Sequence, residues 1–278
     1  MASTAAALVP SGQQAIAAYD YGADAGAGFE GQTSDDYSLP FITILQGLSP
    51  LVATNNDEGK YRIGQIVNTV TQRLYELNKK PGVKFIPVHT EHCFNEWLPD
   101  QGGFVAKHEI TSKVVADAKG AATEFGKLKV GLNDLIECFY VYGIAMDENG
   151  FTEQAVVAFA STKIKKYKSW MTKARTVQIR VGEGVNARNI NPPLYAHVFS
   201  LTAIDDKNKK GQPFKNWAID WAEGDADKSR IPPTSDLYKQ AKELAASVKA
   251  GKAKVDEASQ VKTAGKAAGG EGDEEIPF

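Results

Sequence analysis

Residues 134–146 read "DLIECFYVYGIAM" and residues 151–160 read "FTEQAVVAFA", with "DENG" (147–150) between them. Both runs are rich in β-branched and aromatic residues, which suit a pleated, half-buried surface. Asp-Glu-Asn-Gly supplies residues that tolerate a tight reversal. The pair therefore reads as a β-hairpin, and the rest of the body has the same character. Upstream stand "YRIGQIVNTV" (61–70) and "VKFIPVHTEHCFNEW" (83–97). Downstream come "PLYAHVFSLTAI" (193–204) and "FKNWAIDWAE" (214–223), joined by the charged loop "DDKNKKGQ" (205–212). In the last strand Trp217, Ile219 and Trp221 share one face by the two-residue period. "LPFITILQGLSP" (39–50), bounded by prolines, is expected to pack on the body as a strand or short helix.

Two helices interrupt the strands. "STKIKKYKSWMTKAR" (161–175) starts at Ser161 or Thr162 and sets Ile164, Tyr167, Trp170 or Met171, and Ala174 on one stripe. "TSDLYKQAKELAASVKA" (234–250) has Ser235 as its cap and Leu237, Ala241, Leu244 and Val248 as its apolar face; Gly251 stops it. Strands, an inserted helix, then more strands suit a small closed or partly open barrel, so the expected fold is mainly β. It is an OB-fold-like (oligonucleotide/oligosaccharide-binding) β-barrel with an inserted helix and a C-terminal helix. A β-sandwich is compatible with the same order. Residues 1–36, rich in Ala, Gly, Ser and Asp, predict a flexible acidic arm, 37–250 the folded domain, and 251–278 a disordered linker and acidic tip.

Charge is segregated along the 278 residues. The first 59 hold seven of the 34 acids and no base; the last eight, "EGDEEIPF", hold four acids and no base. The remaining 23 acids face all 32 Lys and Arg within 60–270, a net charge of +9. A basic body attracts polyanions, of which nucleic acid is the commonest in cytoplasm. Two cysteines, Cys93 and Cys138, fit a reducing compartment rather than a disulfide framework. No apolar run approaches the ~18 residues of a membrane span. "MASTAAALVPSGQQ" has no basic segment ahead of its apolar run, so neither membrane nor signal peptide is expected, and the cytoplasm is the expected location.

The densest chemical feature is 161–188. Lys163, Lys165, Lys166, Lys168, Lys173, Arg175, Arg180 and Arg188 stand against one acid, Glu183, with Tyr167 and Trp170 interleaved. Binding of single-stranded nucleic acid needs cations that follow phosphates and aromatic faces on which bases stack, and this segment supplies both. The stripe also places Tyr167 and Trp170 where core residues belong. Lys207, Lys209 and Lys210 on the 205–212 loop are placed for backbone contacts, since barrel-rim loops flank the groove. Trp97 beside Phe94, Tyr140 and Tyr142, Tyr195 and Phe199, and Trp217 and Trp221 supply further aromatic candidates, most of them needed by the core.

Other chemistries find no support. "HTEHC" offers His89, His92 and Cys93, but in a strand His92 points away from the other two, and Cys138, His108 and His197 lie elsewhere; no metal site or cofactor is expected. The glycines form no strand–GxGxxG–helix unit, and GxxxxGK[ST], GxSxG and HExxH are absent. The protein is expected not to be an enzyme.

The ending "DEEIPF" resembles the tip of bacterial single-stranded DNA-binding proteins, in which an acidic peptide behind a disordered linker docks other enzymes. Asp273, Glu274 and Glu275 match the acidic part and Ile276, Pro277 and Phe278 the apolar hook. The pattern "LPFITILQGLSP…IVNTVT…FNEW…PPLYAHVFSLT" looks like phage-encoded single-stranded DNA-binding proteins with an OB-fold core. The resemblance implies a protein of the bacterial host cytoplasm that coats single strands without sequence specificity during replication, recombination and repair. It implies recruitment of a polymerase, helicase, primase or nuclease through the tip. The long acidic arm and the 234–250 helix depart from the bacterial pattern and leave homo-oligomer formation open. A strand-annealing or recombination-mediator protein is the alternative with the same features.

Overall fold

The hairpin expected over 134–160 is part of a ten-stranded sheet. The computed structural model describes residues 27–28, 38–53, 59–99, 102–122, 127–208 and 211–257, and the elements below all belong to the unit Ser38–Phe278. In chain order the strands are β1 (Ile42–Ile44), β2 (Ile66–Asn68), β3 (Leu74–Leu77), β4 (Lys80–Trp97), β5 (Phe104–Glu109) and β6 (Lys129–Val130). Then follow β7 (Asn133–Met146), β8 (Thr152–Ala160), β9 (Ile179–Val181), β10 (Arg188–Ile190), β11 (Phe199–Lys207) and β12 (Pro213–Trp221). The helices are α1 (Pro50–Ala53), α2 (Lys113–Ala121), α3 (Ile164–Thr176) and α4 (Asp236–Lys249). The protein is mainly β, as the β-branched and aromatic runs predict. Among the described residues no helix is long and apolar enough to cross a membrane.

β4 organises the sheet. Its 18 residues pair antiparallel with β7 along most of their length, with β11 near one end and with β5 at the other. The main path runs β8–β7–β4–β11–β12. A strand this long must bend to enclose a core, and the bend has a local cause. Pro87, which has no N–H to give the ladder, sits at a register shift between Pro87 and His89. Its partner is Gly143, where a Cβ would lie 2.3 Å from the Ile86 carbonyl oxygen and 2.4 Å from the Phe85 ring. Only glycine allows that approach.

The two ends of the path, β8 and β12, are not laddered to each other. The segment around β1 spans the gap instead. Val156 N–H donates to the Pro40 carbonyl (2.9 Å), and Phe41 and Val156 form a parallel bridge. At the other end the Gln46 side chain mimics a strand: its Nε2 donates to the Lys215 carbonyl (2.8 Å) and its Oε1 accepts from Lys215 N–H (3.0 Å).

One face of the path encloses Ile42, Ile44, Val83, Phe85, Val141, Val157, Phe159, Phe199, Leu201 and Trp217. α3 closes this core with Trp170, whose ring meets Phe199 at 5.4 Å, Phe159 at 5.9 Å and Phe85 at 6.2 Å. The stripe of Ile164, Tyr167, Met171 and Ala174 packs on the same cluster, as its spacing predicts. The start differs from expectation. Neither Ser161 nor Thr162 caps the helix; a 3₁₀ turn over Ser161–Lys163 leads into it, with Ser161 at φ +49°.

The opposite face, with Tyr140, Tyr142, Ile144 and Val156, lies under α4 through Leu237, Ala241, Leu244 and Val248, joined by Ile231 and Val255. Ser235 caps α4 by accepting from Tyr238 N–H (3.2 Å), and Gly251 at φ +70° ends it. Leu39 N–H donates to the Lys254 carbonyl (2.7 Å), tying the two ends of the folded body together. Beyond the main path, β5, α2 and β6 enclose a small core of Phe94, Val115, Ala118 and Leu135. The sequence reading assigns no elements to this stretch, because only Val115 and Ala118 of α2 are buried and the apolar period is too sparse to see.

Candidate nucleic-acid interface

α3 has two chemically different sides. Trp170 is buried in the core, and Tyr167 stacks on Phe139 at 4.4 Å, which in turn stacks on His92 at 4.1 Å. Lys166 and Lys173 fasten the helix edge to the sheet. Lys166 Nζ lies 3.6 Å from Asp206 Oδ2, and Lys173 Nζ lies 2.8 Å from Asp220 Oδ1 and donates to the Ile219 carbonyl (3.4 Å). Asp220 is held below its ordinary range first by that Lys173 hydrogen bond; Asp206 is held down first by the Asn216 amide. The remaining stripe, Lys165, Lys168 and Arg175 with Ser169, Thr172 and Thr176, is exposed and carries no acid. From Lys165 to Arg175 it runs about 15 Å at 1.5 Å per residue.

The basic side continues past the helix. Asn191 Nδ2 donates to the carbonyls of Arg175 (2.6 Å) and Val177 (3.1 Å), which fixes the base of a two-stranded ribbon, β9–β10, to the helix end. The ribbon exposes Arg180 and Arg188. Lys207 is exposed at the end of β11, next to the Asp206 that holds Lys166. Lys165, Lys168, Arg175, Arg180, Arg188 and Lys207 form no ion pair with any described residue, whereas most lysines of the sheet do.

Several expected contacts fall elsewhere. Lys163 is 2% exposed, and burial pulls its ammonium down to about 8, so it is a core group and not a phosphate ligand. Trp170 and Trp97 are also core residues; Trp97 packs edge-on against Phe104 at 5.5 Å. Tyr140 and Tyr142 are covered by α4. Asn95 Nδ2 donates to Tyr140 Oη (2.7 Å), Tyr142 Oη donates to Glu91 (2.6 Å), and burial pushes both phenols far above their ordinary value. Lys209, Lys210 and the 273–278 tip, with the 1–36 arm, lie outside the described residues.

His92 points away from Cys93, as the strand period predicts: its ring stacks on Phe139 while Cys93 packs under the opposite face of the sheet. Its Nε2 lies 2.8 Å from Glu137 Oε1. Among the described residues no group of three His, Cys, Asp or Glu is placed to hold a metal. A groove of about 740 Å³ lined by Lys80, Lys84, Asp147, Glu148 and Glu223 is of mixed charge, with Lys84 already paired to Glu223 at 2.8 Å. The helix-and-ribbon side is a better match for a polyanion.

The fold and this surface define a mainly β protein with a basic helix-and-ribbon face on one side and a helix-covered sheet face on another. The chain belongs to the Pam3 phage gp34-like protein family, whose model matches residues 9–254. No curated protein and no solved structure matches it.

Proposed function

We propose that the chain is a single-stranded DNA-binding protein that coats strands without reading their sequence, built on an OB-type barrel. The strand order supports the fold. A long first strand, β4, is followed by β7 and β8, then helix α3, then β11 returning to β4, then β12. That order is the one expected of a five-stranded, partly open barrel with its helix after the third strand, and it supports the reading. β1 and Gln46 span the seam. The face of the second and third strands, through which such barrels bind oligonucleotides, is here taken by α4, so DNA follows a different track.

One observation carries the binding reading: the exposed stripe of α3 and the ribbon offer Lys165, Lys168, Arg175, Arg180 and Arg188, none paired with a described acid. Surplus cations on a rigid helix follow a phosphate backbone and carry no base information, which fits coating without specificity. The segment 271–278 is a recruitment peptide for replication, recombination or repair enzymes, supported by the likeness of "DEEIPF" to tips of that role.

The test is fluorescence anisotropy of a labelled ~30-nucleotide oligo(dT) against a duplex of equal length, at low and high salt. Preference for the single strand, weakening with salt, is expected; equal binding to duplex, or none to oligo(dT), overturns the reading. Intrinsic fluorescence is a poor reporter, because Trp97, Trp170 and Trp217 are buried and Trp221 stacks on Phe199 at 4.5 Å.

A further inference from the structure

We infer that the β9–β10 ribbon is a strand-separating wedge: Val185 at its tip enters between bases where a single strand meets a duplex, and Arg180 and Arg188 each hold the backbone of one parting strand. The inference rests on the single-strand binding proposed above and adds the residues that act at a fork.

The register places the two arginines. Arg180 lies opposite Asn189, and Arg188 lies opposite Val181, with Ile179 opposite Ile190. Cross-strand partners share a face and successive residues alternate, so Arg180 and Arg188 project from opposite faces of the ribbon. A lone strand winding about the ribbon can meet both arginines in turn, whereas a fork engages both at once. Cations on both faces of a projecting ribbon suit two strands passing on either side.

The tip has a different chemistry. Residues 182–187 read Gly-Glu-Gly-Val-Asn-Ala and include no cation, and Val185 is fully exposed. A phosphate contact is therefore not its role, and Glu183 repels the backbone from the tip. An apolar side chain held out in front of basic flanks is the device by which proteins unstack base steps. The tip is also held in one shape. Asn186 N–H donates to the Glu183 carbonyl (3.1 Å) and Ala187 N–H to the Gly184 carbonyl (3.2 Å). Gly182, at φ +83°, lets the Asn186 carbonyl come so near that a Cβ would sit 2.7 Å from it. Among the described residues the ribbon pairs with no other strand, and Asn191 anchors its base to the helix end.

The experiment uses the full chain, a short-stem DNA hairpin carrying a fluorophore and quencher, and a labelled oligo(dT). Val185→Ser should bind oligo(dT) within about twofold of wild type while needing at least about fivefold more protein to open half of the hairpin. Val185→Leu, which keeps the apolar tip, should open it as wild type does. Arg180→Ala and Arg188→Ala, made singly, should each raise the half-opening concentration. Unchanged hairpin opening by Val185→Ser overturns the wedge, as does a parallel loss on both substrates, which would make Val185 an ordinary contact. Failure of the wild type to bind oligo(dT) strikes the underlying binding reading instead, so the two failures are distinct.

Discussion

Replacing Arg180 and Arg188 together by Ala should weaken the salt dependence of DNA binding by a calculable amount. Six exposed cations, Lys165, Lys168, Arg175, Arg180, Arg188 and Lys207, form no ion pair with a described residue. If all six contact phosphates, log K falls against log salt with a slope of about −0.7 per contact for single strands, or about −4 in all. Between about 50 and 200 mM salt that is a loss of roughly 300-fold. With two contacts removed the slope becomes about −3 and the loss roughly 50-fold. The control is Lys166→Ala with Lys173→Ala. Those lysines already hold Asp206 and Asp220, so their removal should leave the slope near wild type and cost at most about 1 kcal/mol of stability each. The assay is anisotropy with oligo(dT) over a salt series. A wild-type slope near zero, or the same slope in wild type and the arginine double variant, would refute the argument.

Lys163→Met should stabilise the protein at neutral pH. The folded-state value of about 8 lies below the ordinary 10.5, so the unfolded chain binds more protons between those values and wild-type stability rises with pH across that window. The cost of carrying the charge below pH ~8 is about 3 kcal/mol, so the variant should gain up to that amount at pH 7 and its advantage should shrink toward pH ~10.5, read from urea melts; a constant difference would count against it. Gln46→Ala removes both bonds to Lys215 and should cost about 2 kcal/mol, whereas an unchanged urea midpoint would mean the seam needs no such clasp. Deleting 271–278 takes away four acids and should leave oligo(dT) affinity unchanged or raised; a large loss of affinity would show that the segment contributes to DNA binding.

Some of this was legible in the residues alone. Alternating β-branched and aromatic runs specified β4, β7, β8, β11 and β12, since a strand's period of two is local. "DENG" marked the β7–β8 turn, where Asp147 Oδ1 accepts from the N–H groups of Asn149 and Phe151. Ser235 and Gly251 marked the ends of α4 because caps are short-range hydrogen bonding and backbone sterics. The family match over 9–254 agrees with the phage character that the apolar motifs suggested.

Other features depended on residues far apart in sequence. Lys163 and Lys165 look alike in a basic run, yet one is buried and one exposed, because the angle at which α3 meets the core decides which stripe sees water. Lys166 and Lys173 are spent on Asp206 and Asp220, roughly forty residues or more away, which no window of sequence contains. Tyr140 and Tyr142 were plausible stacking platforms until α4, nearly a hundred residues later, covered them. The sequence by itself determined the β class, the two ends of α4 and the segregation of charge, all of which follow from local periodicity, short-range bonding and composition. Only the tertiary structure decided which cations form no ion pair with a described residue and that Arg180 and Arg188 face opposite ways about an apolar tip, because burial, ion pairing and strand register are properties of what the chain packs against.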